Sequence, residues 1–126
     1  MPGPGDAIQI AAKGTKEVAK IGRMLLKYPT VIDPRTGRAI AFPSDIASRV
    51  PAAERVKWGW PERQRFIKEW EERGYAAPSG GWENYEIHHI KPRQYGGTND
   101  FWNLVPVEKT LHRTDVNGFW RSFDGL

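Results

Sequence analysis

Cysteine is absent from the 126-residue chain, which excludes disulfides and any thiolate-bound metal. A chain without thiols tolerates oxidising and reducing surroundings alike, so export or delivery into another cell stays open. Long hydrophobic runs are also missing. The longest falls far short of the roughly 20 apolar residues that span a bilayer, so no stable membrane insertion is expected. The opening, Met-Pro-Gly-Pro-Gly-Asp, has no basic segment followed by an apolar stretch, and encodes no signal peptide. Its proline and glycine read instead as a linker belonging to a longer protein. Charge of neither sign dominates. Nineteen Lys and Arg against fifteen Asp and Glu leave a net +4 and a pI near 9.5, a slight bias toward polyanionic partners.

What is plentiful is aromatic surface. Six Trp, five Phe and four Tyr supply large apolar area per residue, which offsets the small core available to a chain of this size. Apolar residues at 39% and charged residues at 27% argue for a folded chain rather than disorder. The length suits one compact domain, read as a helix-and-hairpin arm over residues 1–50 and a second part over residues 51–126.

Residues 6–27 carry Ile8, Ala11, Ala12, Val18, Ala19, Ile21, Leu25 and Leu26 at helical spacing, with Lys13, Lys16, Lys20, Arg23 and Lys27 between them. Gly14 and Gly22 weaken that helix by about 1 kcal/mol each. A basic amphipathic helix can meet membranes or phosphates, but a packed helix with a solvated basic face is the plainer reading. Residues 30–42 read as a short hairpin turned by Pro34 and Gly37. Pro61 suits the first turn of a helix running to about Arg73 and ended by Gly74, with Phe66, Ile67 and Trp70 on its buried side. Residues 76–81 form a loop.

The chemistry-bearing residues come last. All three histidines, His88, His89 and His112, fall between positions 88 and 112. Residues 85–90 read as a strand that Pro92 stops, Gly96-Gly97 as a tight loop, Leu104-Val105 as a second strand, and residues 107–120 as a helix. Neighbouring strand residues point to opposite faces, so His88 and His89 line one site only if a twist or bulge re-aims one of them. Trp102, Phe119, Trp120 and Phe123 are expected to pack as core around this segment.

The ordered set Glu86-x-His88-His89, Lys91-Pro92, Gly96-Gly97, Asp100-x-x-Asn103-Leu104 and His112 resembles the HNH nucleases. Those enzymes grip one divalent ion with two strands and a helix, the ββα-metal motif. The likeness extends to nuclease colicins, pyocins and the C-terminal HNH toxin modules of bacterial polymorphic toxins. The fold this implies is α+β, with N-terminal helices and a small hairpin preceding a C-terminal ββα-metal module. Carried over by position, the resemblance makes His88 and His112 metal ligands and His89 the general base. Asn103 becomes the residue that holds the loop and orients the base, and Glu86 an acidic residue that orders the site. A neutral imidazole near its ordinary pKa can accept a proton at neutral pH, and a divalent cation can stabilise charge on phosphate.

One departure matters. Where colicins place a further histidine one helical turn after the His112 position, this chain has Val116, and the loop between His89 and Asn103 is one residue shorter. Asp115 and Asn117 offer oxygen nearby, Asp115 on roughly the His112 face of a regular helix. Fewer nitrogen ligands favour Mg²⁺ or Mn²⁺, with Zn²⁺ or Ni²⁺ possible. Arg93 and Arg113 are candidate phosphate contacts.

The resemblance thus implies an endonuclease hydrolysing DNA, with RNA second, acting as the toxin module of a secreted or delivered antibacterial effector in the cytoplasm of a target bacterium. An acidic immunity protein is the implied partner. Two other readings stand beside it: a catalytically inactive nucleic-acid-binding module, and a membrane-active toxin working through the basic N-terminal helix.

Overall fold

In the computed structural model, residues 15–46 and 48–125 are described. Residues 6–14 of the anticipated first helix lie outside them. Helix α1 (Thr15–Leu25) buries Ile21, and Met24 and Leu25 pack beside it. Lys16, Lys20 and Arg23 are exposed, as a solvated basic face requires. Val18 and Leu26 are exposed too, so the apolar stripe reaching the core is narrower than the spacing suggested.

The small hairpin forms as anticipated. Strands β1 (Ile32–Asp33) and β2 (Arg38–Ala39) pair antiparallel. Asp33 O accepts from the amides of Thr36 and Gly37, and Gly37 takes the left-handed conformation (φ 70°) that closes the turn. Helix α2 (Trp60–Glu72) begins with Pro61 in its first turn and buries Phe66 and Trp70, while Ile67 is half-buried. Gly74, at φ 86°, follows its end.

Strands β3 (Tyr85–His89) and β4 (Leu104–Glu108) pair antiparallel in unbroken register, from Tyr85 opposite Glu108 to His89 opposite Leu104. The second strand therefore runs three residues beyond the expected Leu104-Val105, and the helix starts later. Glu108 explains the boundary, because its carboxylate accepts from the amides of Thr110 and Leu111, both at 3.0 Å, and caps the helix there. Three consecutive segments make up this last helix, α3: Lys109–Leu111, the π-helical His112–Val116 and Asn117–Asp124.

Alternation along β3 sorts its side chains onto two cores. Glu86 and His88 lie opposite Val107 and Val105, on the face covered by Val116, Phe119 and Trp120 of α3. Ile21, Val31 and Ile46 join that same buried cluster, so the first fifty residues contribute to it directly. Ile87 and His89 lie opposite Pro106 and Leu104. There Ile87 and Leu104 meet Phe66 and Trp70 of α2 together with Phe101. The chain is α+β, with a central two-stranded hairpin between helices. Phe119, Trp120 and Phe123 are buried as expected, but Trp102 is 53% exposed, lying over the Arg35 guanidinium instead of in the core.

Arg35 ties the small hairpin to the second half of the chain. Its side chain is fully buried and pairs with Asp33 at 2.9 Å. It also donates to the carbonyls of Phe101 and Leu104, on either side of Asn103, and its guanidinium sits against the rings of Trp70, Phe101 and Trp102. A buried guanidinium needs most of its donors satisfied, and these contacts supply that.

Candidate functional site

His88, His89 and His112 border one cleft of about 350 Å³, together with Arg55, Trp58, Arg93 and Asn117. No bulge brings the two neighbouring histidines together. The β3–β4 ladder stays regular through His89, the two rings leave opposite faces, and the cleft opens at the strand end where both reach it.

On the α3 side, the His88 and His112 rings lie with centroids 5.2 Å apart. His112 Nδ1 is 2.9 Å from Glu86 Oε1, and Arg113 donates twice to Glu86 Oε2. With Nδ1–H donating to the carboxylate, the neutral ring carries its lone pair on Nε2. Glu86 thus fixes a tautomer, as a carboxylate behind a metal-bound imidazole does. Burial pushes its own carboxyl upward in pKa, but the bonds from Arg113 and His112 outweigh that and hold it below the usual range.

His88 is one of four residues, with Tyr28, Trp82 and Trp120, whose buried side-chain polar atom has no partner among the described residues. Its Nε2 is fully buried and has no hydrogen-bond partner. Burial first, then the charges His112 and His89 would carry, push its pKa down to about 3, so the ring is neutral at any physiological pH. A buried, unpartnered imidazole nitrogen is costly unless something accepts its lone pair. The donor set is chemically suited to a divalent cation: the neutral imidazole of His88 stands beside His112, whose tautomer Glu86 sets. Among the described residues no group of three or more His, Cys, Asp or Glu side chains gathers at one point, so water or substrate oxygens would complete the shell.

On the opposite face, His89 Nε2 lies 2.8 Å from Asn99 Oδ1. The Asn99 amide is itself oriented, because its Nδ2 donates to the Lys57 carbonyl at 2.9 Å. Nε2 therefore carries the proton, leaving Nδ1 as the basic atom. Burial lowers the His89 pKa, the Asn99 bond partly restores it, and the Arg93 charge lowers it again. The edge of Trp58 packs against the ring at 4.8 Å between centroids.

Asn103 makes no side-chain hydrogen bond to His89. Its Oδ1 accepts from the Lys91 amide, and its Nδ2 donates to the carbonyls of Lys91 and Thr98. This bridges both ends of the Gly-Gly loop, and Thr98 is the residue before Asn99. The path from Asn103 to the base runs through the loop and Asn99. Gly97 permits that closure, since a Cβ there would stand 1.7 Å from the Lys91 carbonyl oxygen.

The remaining candidates divide. Arg93 borders the cleft, its Nε bonded to the Val56 carbonyl. Arg113 is exposed and spends its guanidinium on Glu86. Of the two nearby oxygen-bearing residues, Asp115 does not border the cleft: it is exposed and accepts from Thr114 Oγ1. The π-turn is the reason, because Asn117 N bonds His112 O five residues back and brings Asn117, not Asp115, onto the cleft. Val116 is 1% exposed and points into the core. Reading the sequence missed Asn99, Trp58 and Arg55. None of the three stands in the ordered set of motif residues, and each reaches the site only through contacts distant in sequence.

No family model, curated protein or solved structure matches the chain. Among the described residues no helix is long and apolar enough to cross a membrane.

Proposed function

We propose that the chain is a metal-dependent endonuclease of the HNH type, with β3, β4 and α3 forming its ββα-metal motif. One observation carries the reading: His88 Nε2, buried and without a partner, stands beside His112, whose tautomer Glu86 has set. That combination has a cost in a purely structural site and a use in a metal site.

His88 and His112 hold the divalent ion, Mg²⁺ or Mn²⁺ by preference. When bound, the cation supplies electrostatic stabilisation of the charge on the phosphate and on the departing 3′ oxygen. His89 Nδ1 takes the proton of a water whose oxygen bonds to phosphorus as the bond to the 3′ oxygen breaks. Asn99 keeps His89 in the required tautomer. Arg55 and Arg93, bordering the same cleft, favour an anionic substrate. Arg113 serves the site through Glu86 rather than by gripping substrate.

DNA is favoured over RNA on family likeness. The same likeness carries the role of toxin module in a secreted antibacterial protein, met by an acidic immunity protein suited to the basic chain. The test is hydrolysis of supercoiled plasmid and of RNA with Mg²⁺, Mn²⁺ or Zn²⁺ and with EDTA. Metal-dependent cutting that EDTA abolishes supports the reading, and intact substrates under every condition overturn it.

A further inference from the structure

The cleft that holds the histidines does not end with them. A larger depression of about 940 Å³ lies beside it, bordered by Trp58, Trp60, Trp82, Arg63, Lys109 and Arg113. Trp58, Ile87, His112 and Asn117 border both, so the two lobes are one groove with Trp58 and His112 at the junction. The lobes differ in chemistry. The smaller has Arg55 and Arg93 and no carboxylate. The larger adds two further indole rings, Trp60 and Trp82, and the cationic side chains of Lys109 and of Arg63, whose guanidinium donates to the Tyr85 and Trp82 carbonyls; Arg113 there is paired with Glu86, which leaves Glu83 as the other carboxylate. Glu86 is already engaged by Arg113 and His112.

Trp60 is the unexplained member. It stands in the first turn of α2 and is 71% exposed, whereas every other aromatic residue of the chain except Trp102 is buried or half-buried. Exposure of one indole is ordinary. An exposed indole at the rim of a cationic groove that leads to the candidate hydrolytic histidines is a different matter. Each nucleobase has an aromatic face, and stacking on indole is the usual means of holding an unpaired base. A base inside a duplex offers no free face, because its neighbours cover both.

Resting on the nuclease reading, we propose that this groove binds a single-stranded or locally unpaired segment. The phosphate to be cut lies in the histidine lobe, and a flanking base stacks on Trp60 in the larger lobe, its backbone passing Lys109 and Arg63. The substrate preference of the site is thus for unpaired nucleotides over continuous duplex. Single-stranded DNA and RNA share the aromatic and phosphate chemistry involved, and the experiment separates them.

The full chain is titrated in EDTA, where nothing is cut, with fluorescein-labelled single-stranded DNA, single-stranded RNA and duplex DNA of one mixed sequence. Anisotropy reads affinity, and wild type is compared with Trp60→Ala and Trp60→Phe. Cleavage of the same oligonucleotides by wild type with Mg²⁺ or Mn²⁺ runs in parallel. Trp60→Ala is expected to weaken binding of at least one single-stranded probe about tenfold, with Trp60→Phe retaining most of it and duplex binding changing less than twofold. Which single strand responds identifies the nucleic acid. If wild type cuts nucleic acid but Trp60→Ala leaves single-strand affinity unchanged, or weakens strand and duplex equally, the stacking site is overturned and the nuclease reading stands. If wild type neither binds nor cuts any probe, both fall together.

Discussion

Asn99 Oδ1 accepts the Nε2–H of His89 at 2.8 Å, with the Asn99 amide anchored on the Lys57 carbonyl. The bond decides which nitrogen of His89 is basic. Asn99→Ala is expected to lower the cleavage rate about tenfold to a hundredfold, the usual loss when a supporting hydrogen bond to a site residue is removed, with metal affinity unchanged. Asn99→Asp places a carboxylate on the same nitrogen and raises the His89 pKa. Because the neutral ring is the active form, the acidic limb of the rate profile then moves to higher pH. A pH–rate profile of both variants checks this. An Asn99→Asp profile that overlies wild type would show that Asn99 does not act through His89.

Arg35 couples the small hairpin to the Asn103 loop by donating to the carbonyls of Phe101 and Leu104 while paired with Asp33. Arg35→Met leaves the Asp33 carboxylate buried without its partner, and the expected loss of stability is about 3–5 kcal/mol. The double variant Asp33→Asn with Arg35→Met should recover a large part of that loss, since no charge is then stranded. Urea denaturation of wild type and the two variants gives the comparison. A double variant as unstable as the single one would assign the loss to packing around the guanidinium.

Gly96 and Gly97 adjoin in sequence but differ in what they tolerate. Gly97→Ala drives a Cβ into the Lys91 carbonyl, so the loop must shift, at a cost of about 3 kcal/mol. Gly96→Ala meets only the Val50 side chain at 3.4 Å and is strained chiefly by its φ of 86°, at about 1–2 kcal/mol. Thermal melting of the two single variants should rank them in that order, and the reverse order would contradict the loop geometry.

Without metal, the protein should lose stability in acid through His88. Its pKa falls from an ordinary 6.5 to about 3 in the folded chain, chiefly through burial. Between those values the unfolded chain binds a proton that the folded one does not, so the contribution is complete above about pH 6.5 and lost as pH falls toward 3. Glu86, held below the usual carboxylate range, acts in the same direction lower in that window. His88→Leu removes the larger effect and also the orphaned Nε2. In EDTA it should melt no lower than wild type at pH 7.5 and show a shallower decline toward pH 4.5. An equally steep decline in both proteins would place the acid sensitivity elsewhere.

Much of this arrangement could be read from the residues. The Pro34 and Gly37 turn, the Pro61 helix start and the β3 strand all involve short-range chemistry that a sequence displays openly. The end of β4 did not, because Pro106 reads as a strand stop, whereas period-two burial of Val105 and Val107 carries the strand on to Glu108. The π-turn was also hidden. Nothing in His-Arg-Thr-Asp-Val announces an extra residue, yet it exchanges Asp115 for Asn117 at the cleft. Asn99 and Trp58 meet His89 through contacts across ten and thirty-one positions, and no local pattern encodes those. Arg35, sixty-six positions from Phe101, belongs to the same class.

The central claim is that His89 is the base while His88 and His112 hold the metal, so binding and chemistry should separate by residue. The most direct measurement pairs Mn²⁺ titration calorimetry with nucleic-acid cleavage for wild type, His89→Ala, His88→Ala and His112→Ala. The account predicts that His89→Ala binds Mn²⁺ as wild type does and cuts at least a hundredfold more slowly. His88→Ala and His112→Ala should lose metal affinity and cleavage together. Full cleavage by His89→Ala, or unchanged Mn²⁺ affinity without His88, would contradict it.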